Sequence, residues 1–135
     1  MGYLLDTNIV SAIFKNNQKV IIKLDSLRTQ QEKVFMSAMT YYEIERGLLA
    51  VNATKKLKNL ETLANEYQVL LLDDMAIFQK ASKIYADLKQ RGLPIQDADI
   101  FIASTAIIHD LIVVSDDSDL SRITGLKLEN WLTDE

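Results

Sequence analysis

Short hydrophobic runs recur along this chain. Each closes on a polar or acidic residue and gives way to apolar positions three and four apart. Tyr3-Leu4-Leu5 stops at Asp6, and Ile9, Val10, Ala12, Ile13 and Phe14 follow. That order predicts a short buried strand, a carboxylate at its C-terminal end and a helix starting at once. Residues 15–31 carry Val20, Ile21, Leu24 and Leu27 at helical spacing and end in polar Thr29-Gln30-Gln31. Val34-Phe35-Met36 reads as a second strand closing in Ser37. Thr40-Tyr41-Tyr42-Glu43 has the S/T-x-x-E form of a capping box, leading a helix through Ile44, Leu48 and Leu49. Leu57, Leu60, Leu63 and Ala64 mark another helix, and Val69-Leu70-Leu71-Leu72 a third strand stopped by Asp73-Asp74. Ile77, Ala81, Ile84, Tyr85 and Leu88 trace a long helix ending near Gly92, a glycine suited to the position after a helix C-cap. After Leu93-Pro94-Ile95, Gln96-Asp97-Ala98-Asp99 opens a helix whose next positions are almost all apolar, so it is expected to be packed on most sides. Leu111-Ile112-Val113-Val114 is a fourth strand ending at Ser115-Asp116-Asp117. A short helix over 120–123 and a brief strand over 126–128 finish the pattern.

Strands alternate with helices, and the strands are apolar on both sides. Both signs predict a parallel sheet covered on its two faces. The expected fold class is α/β, a three-layer α/β/α sandwich with a mainly parallel central sheet of four to five strands. The 135 residues suit a single domain, 1–135, able to bury a core without staples. There is no Cys, which excludes disulfides and thiolate metal ligation. No signal-peptide pattern or membrane-length apolar run is present, so a cytoplasmic protein without membrane attachment is expected. The net charge of −4 argues against a surface that binds nucleic acid throughout. It leaves room for a local basic face beside an acidic pocket.

The acids change the picture most. Asp6 ends the first strand, Glu43 is expected in the first turn of the helix after the second, Asp99 in the first turn of the apolar helix, and Asp116 and Asp117 follow the fourth strand. Ends of parallel strands point one way, so these positions can converge on one cleft, where open α/β sheets bind ligands. Clustered carboxylates raise one another's pKa unless a cation compensates. All-oxygen donors favour Mg²⁺ or Mn²⁺. Such ions activate water and stabilise phosphoryl charge, which makes a phosphodiester the natural substrate. Each acid also has a structural explanation. Asp6 suits an N-cap, Glu43 a capping-box partner, Asp97 and Asp99 a cap and a dipole-facing acid, and Asp116 and Asp117 a polar turn. Four strand ends carrying acids together are harder to assign to capping alone.

With these residues in view, the chain resembles a PIN-domain ribonuclease of the VapC toxin type over nearly its whole length. The marks are Leu4-Leu5-Asp6-Thr7-Asn8, Glu43 within Thr40-Tyr41-Tyr42-Glu43-Ile44-Glu45-Arg46-Gly47, and Pro94-Ile95-Gln96-Asp97-Ala98-Asp99-Ile100-Phe101-Ile102-Ala103. Ile112-Val113-Val114-Ser115-Asp116-Asp117-Ser118-Asp119-Leu120 and Leu126-Lys127-Leu128-Glu129-Asn130-Trp131 complete them. The resemblance implies a Mg²⁺- or Mn²⁺-dependent endoribonuclease acting on single-stranded RNA, inhibited by a VapB-type antitoxin and homodimeric. It implies catalytic and metal-binding roles for Asp6, Glu43, Asp99 and a fourth acid, Asp117 in preference to Asp116. Thr7, Asn8 and Ser115 would orient carboxylates or waters. The family often has Thr where Ser115 stands and an aromatic residue where Leu120 stands.

Lys15, Lys19, Lys23 and Arg46 are candidates for RNA phosphates, with solvated helix faces as the plain alternative; Lys15 and Arg46 are preferred. Tyr41 and Tyr42 suit base stacking or packing. His109, the lone His, suits a helix end. The stripe through Leu57, Leu60 and Leu63 suits either an intramolecular core or, as the resemblance implies, part of the antitoxin groove. A haloacid-dehalogenase-type phosphatase would also put an Asp after strand one, but it needs a second Asp where Asn8 stands. A response-regulator receiver would use Asp73-Asp74 and leave Asp6, Glu43 and Asp99 unexplained. A catalytically inactive PIN-like adaptor would not need every acid.

Overall fold

The computed structural model describes residues 1–133. It forms a five-stranded sheet, all parallel, between two layers of helices. In chain order the elements are β1 (Gly2–Leu5), α1 (Thr7–Phe14), α2 (Gln18–Thr29), β2 (Val34–Ser37), α3 (Ala38–Ala50), α4 (Thr54–Glu66), β3 (Val69–Leu70), α5 (Met75–Gln90), α6 (Asp97–Ile108), β4 (Leu111–Val114), a 3₁₀ turn (Ser118–Arg122) and β5 (Leu128–Glu129). The sheet order is β3-β2-β1-β4-β5. β1 is therefore central: Tyr3 aligns with Val34 of β2 and with Ile112 of β4. The chain leaves β1 towards β2 on one side and returns to β4 on the other. The carboxyl end of β1 is thus the point where the strand order reverses, and crevices open at such points.

Alternation along β1 feeds two cores. Leu5 joins Ile9, Val10, Val20, Leu24, Ile44, Leu60 and Leu63 on the face covered by α1 to α4. Leu4 joins Ile84, Leu88, Ile102, Ala103 and Val113 on the face covered by α5 and α6. α6 is buried from Ile102 to Ala106, as its apolar sequence demands. Leu60 and Leu63 of the α4 stripe are buried in the core, which settles their side of that alternative.

Some boundaries depart from the pattern in the sequence. α3 begins earlier than the capping-box reading predicts. Its N-cap is Ser37, whose Oγ accepts from the Met39 N–H. Thr40 lies inside the helix, fully buried, and its hydroxyl donates to the Leu5 carbonyl (3.4 Å). Glu43 consequently sits in the second turn. Ser37→Ala is expected to lower stability by about 1 kcal/mol, the usual cost of a lost N-cap, read from the shift in denaturant midpoint. β3 stops at Leu70; Leu71 is exposed because only β2 flanks this edge strand. The 120–123 helix is a 3₁₀ turn starting at Ser118, and the last strand lies at Leu128–Glu129 rather than 126–128. Asp74 caps α5 by accepting from the Ala76 N–H, which accounts for one acid of the Asp73-Asp74 pair. α5 ends as expected, with Gly92 at φ 70° after the Arg91 C-cap. α1, α2, α3 and α6 make the same left-handed exit with Asn16, Gln31, Asn52 and Asp110, so few glycines are needed. No described helix is long and apolar enough to cross a membrane.

Candidate active site

Asp6, Thr7, Asn8, Glu43, Gln96, Asp99, Asp117 and Asp119 line an open cleft of about 350 Å³ at the carboxyl end of β1. Asp6, Glu43, Asp99 and Asp117 are thus brought together from four separate segments. Asp116 is not: it is exposed and turned out of the cleft, and its N–H donates to Asn8 Oδ1 (3.2 Å). Asp97 is likewise exposed and does not line the cleft. Asp119 and Gln96 are residues that sequence reasoning did not assign. Asp119 stands two positions after Asp117, within a motif already singled out. The 3₁₀ turn is what brings both acids to one wall. Gln96 is the N-cap of α6, and its side chain makes no capping bond.

Asp6 is the most constrained acid. It is buried at 3% exposure and serves two roles. Its Oδ1 accepts from the Thr7 N–H at the start of α1 (2.8 Å), so the capping role is real. Its Oδ2 accepts from the Ser115 hydroxyl (2.7 Å) and from Asn8 Nδ2 (3.4 Å). Burial raises its pKa, the bonds from Ser115 and Thr7 pull it back, and the charges of Glu43 and Asp117 push it up again. Ser115 Oγ also accepts from the Asp117 N–H (3.0 Å) and from Asn8 Nδ2 (3.2 Å). One buried hydroxyl therefore ties the end of β1 to the turn after β4. The Thr7 hydroxyl donates to Glu43 Oε1 (2.9 Å) and ties α1 to α3. A threonine hydroxyl has one proton, so this bond commits Thr7 as Glu43's donor.

Asp99 is half-buried and has no hydrogen bond to its side chain among the described residues. Burial, followed by the charges of Asp6, Asp117, Glu43 and Asp119, raises its pKa to about 6. Asp6, Asp99 and Asp117 have no ion-pair partner among the described residues. Glu43 lies 4.0 Å from Arg46, and Asp119 is paired with Arg122 at 3.2 Å. The donor set, all carboxylate oxygens and with the charges of Asp6, Asp99 and Asp117 uncompensated among the described residues, fits a hard divalent cation. As the side chains stand, no three of the described acids close around one metal position.

The basic and aromatic candidates are more peripheral. Lys15 is the exposed C-cap of α1, and Arg46 lies 4.9 Å over the exposed Tyr42 ring; neither lines the cleft. Tyr41 packs against the α1 to α4 core. His109 is the exposed C-cap of α6 and does not line the cleft.

Comparison with known proteins agrees with this architecture. A PIN domain matches over residues 3–126. The VapC ribonuclease Y4jK of Sinorhizobium fredii is 32% identical over 134 residues, covering 93% of this chain and 94% of that protein. The structure of VapBC-1 from nontypeable Haemophilus influenzae superposes with a TM-score of 0.86 at 29% identity, covering 98% of this chain and 100% of the other. That of VapBC2 from Rickettsia felis, bound to a DNA fragment from their promoter, gives 0.87 at 25% identity over 97% and 99%. With acids from four segments at the switch point of a parallel sheet and a family match spanning most of its length, this chain belongs to the PIN-domain family, and within it to the VapC-type ribonucleases.

Proposed function

We propose that this protein is a Mg²⁺- or Mn²⁺-dependent endoribonuclease that cuts single-stranded RNA, and that it acts as the toxin of a pair with a VapB-type antitoxin. The observation that carries the reading is the convergence of Asp6, Glu43, Asp99 and Asp117 on one cleft, three of them without cationic partners among the described residues. Asp6 and Asp99 would hold the principal ion, with Glu43 and Asp117 completing the cluster through water or by holding a second ion. Such an ion supplies charge neutralisation at the phosphoryl group and acidifies water for in-line attack. The chain's own residues prepare the site. Ser115 and the Thr7 N–H hold the Asp6 carboxylate, Thr7 Oγ1 holds Glu43, and Asn8 locks the 115–116 backbone. Partners of this kind orient and tune the ligands of metal sites elsewhere. Lys15 and Arg46 remain the preferred RNA phosphate contacts outside the cleft. The solved VapBC relatives support the antitoxin partnership, and a homodimer is the expected assembly.

The test is cleavage of single-stranded and duplex RNA by antitoxin-free protein, with Mg²⁺ or Mn²⁺ and with EDTA. Cutting of the single strand that stops with EDTA and resumes with excess ion is the expected result. Cutting indifferent to chelation overturns the metal requirement. No cutting by a preparation shown free of bound protein favours the inactive adaptor.

A further inference from the structure

We propose that Arg122 is a positioning residue for the acidic cleft: its guanidinium joins the Asp119 carboxylate to the Pro94 carbonyl and so holds the 117–119 wall in register with the 96–99 wall. The inference rests on the reading of the cleft as a divalent-ion site. The two walls come from different parts of the chain. One is the 3₁₀ turn after β4, and the other is the α5–α6 connection running into Asp99. Nη2 of Arg122 lies 3.2 Å from Asp119 Oδ1, and Nη1 donates to the Pro94 carbonyl at 3.4 Å, across 28 residues of sequence. The backbone of Arg122 is gripped as well. Arg91 Nη2 donates to the Arg122 carbonyl (2.5 Å), and Asp87 fixes Arg91 through Nη2 (2.7 Å) and Nε (3.1 Å). Two arginines therefore staple the acid-bearing turn to the end of α5 and to the segment that enters α6.

The staple is not what folds the turn. Leu120 and Ile123, on either side of Arg122, are buried at 0% and 5% exposure in the α5–α6 core. An exposed i,i+3 ion pair adds little stability of its own. What it adds is position. A planar fork reaches two acceptors at once, which a lysine ammonium does with less geometric control. Displacements of about 1 Å in a reacting site can lower rates about 10²-fold, so a small slip between the walls is costly to function even where folding is indifferent.

The experiment compares wild type, Arg122→Gln and Arg122→Lys as full chains. Mn²⁺ affinity is read by calorimetry without RNA, and cleavage by steady-state kinetics at several salt concentrations. For Arg122→Gln the expected result is Mn²⁺ binding weakened about 10-fold or more and kcat reduced to a similar degree, within what a slip of one wall of a reacting site costs. KM should stay within about twofold, the salt dependence of RNA binding should be unchanged, and the melting temperature should be close to wild type. Arg122→Lys should fall between. A raised KM with a salt slope reduced by about 1 would identify a phosphate contact and overturn the proposal. Unchanged Mn²⁺ affinity and kcat would reduce Arg122 to a surface ion pair and also overturn it. If wild type binds Mn²⁺ yet cuts no RNA, the proposed function fails while the Mn²⁺ comparison still decides the role of Arg122.

Discussion

Asp99→Asn is expected to lower RNA cleavage by roughly 10²–10⁴-fold and, in the absence of metal at pH 8, to raise the melting temperature. The two effects have one cause. Burial and four neighbouring acids make the charged form of Asp99 unfavourable, which is why its pKa rises to about 6. Above that pH the folded chain carries this charge at a cost. Asparagine has nearly the same shape and removes the charge. It breaks no hydrogen bond, because none reaches this side chain among the described residues. The same charge is what a divalent ion and a phosphoryl reaction require, so its removal takes away a ligand or a charge-stabilising group, worth losses of this size. Asp6→Asn should also abolish cleavage, but without the gain in stability. Asp6 accepts from Ser115 and from the Thr7 N–H, and an amide cannot accept at both positions. Thermal unfolding with EDTA, beside a cleavage assay, checks both variants. Wild-type cleavage by Asp99→Asn would remove Asp99 from the site.

These acids were legible in the sequence because the ends of parallel strands are marked twice, by a halt in an apolar run and by the helix signal that follows. Asp6 and the Asp116-Asp117 pair stand at such halts, whereas Asp99 is marked by the helix signal alone, in the first turn of α6. The choice within the pair becomes clear only with the turn in place. After Val114 the chain points Ser115 inward to Asp6, Asp116 outward and Asp117 back towards the cleft. Glu43 was assigned to the cleft from a misplaced helix start. Ser37 and Thr40 both suit an N-cap, three residues apart, and the S/T-x-x-E pattern cannot tell which of them is used. Burial decides it: Thr40 is packed under the end of β1, where its hydroxyl reaches the Leu5 carbonyl, and Ser37 is left to cap. The place of Asp119 in the cleft and the arginine staple were not legible, although Asp119 lies within a motif the sequence marks. They depend on a 3₁₀ turn and on contacts spanning about thirty residues, and hydrophobic periodicity reports neither.

The contribution of the acidic cleft to the stability of the metal-free protein is expected to fall as pH rises from about 4 through about 6, and divalent ions are expected to restore it only above that range. Asp99 binds its proton more tightly folded, at about 6, than unfolded, near 3.8, and Asp6 is shifted in the same direction. Between the two values the native state holds more protons than the unfolded one, so stability falls with rising pH. The contribution is fully present below about pH 4 and gone above the folded value. Most carboxylates that matter to folding do the opposite, since ion pairing lowers their pKa. A cation that occupies the cleft binds the deprotonated acids and competes with protons. At 100 times its Kd, Mn²⁺ or Mg²⁺ should add about 2.7 kcal/mol at pH 8, or roughly 10 °C in melting temperature for a domain of this size. The same concentration at pH 4.5 should add little. Melting curves across pH with EDTA and with each ion give the answer. An ion-induced shift that persists at pH 4.5, or survives Asp99→Asn together with Asp6→Asn, would place the ion elsewhere and remove the support for a shared carboxylate site.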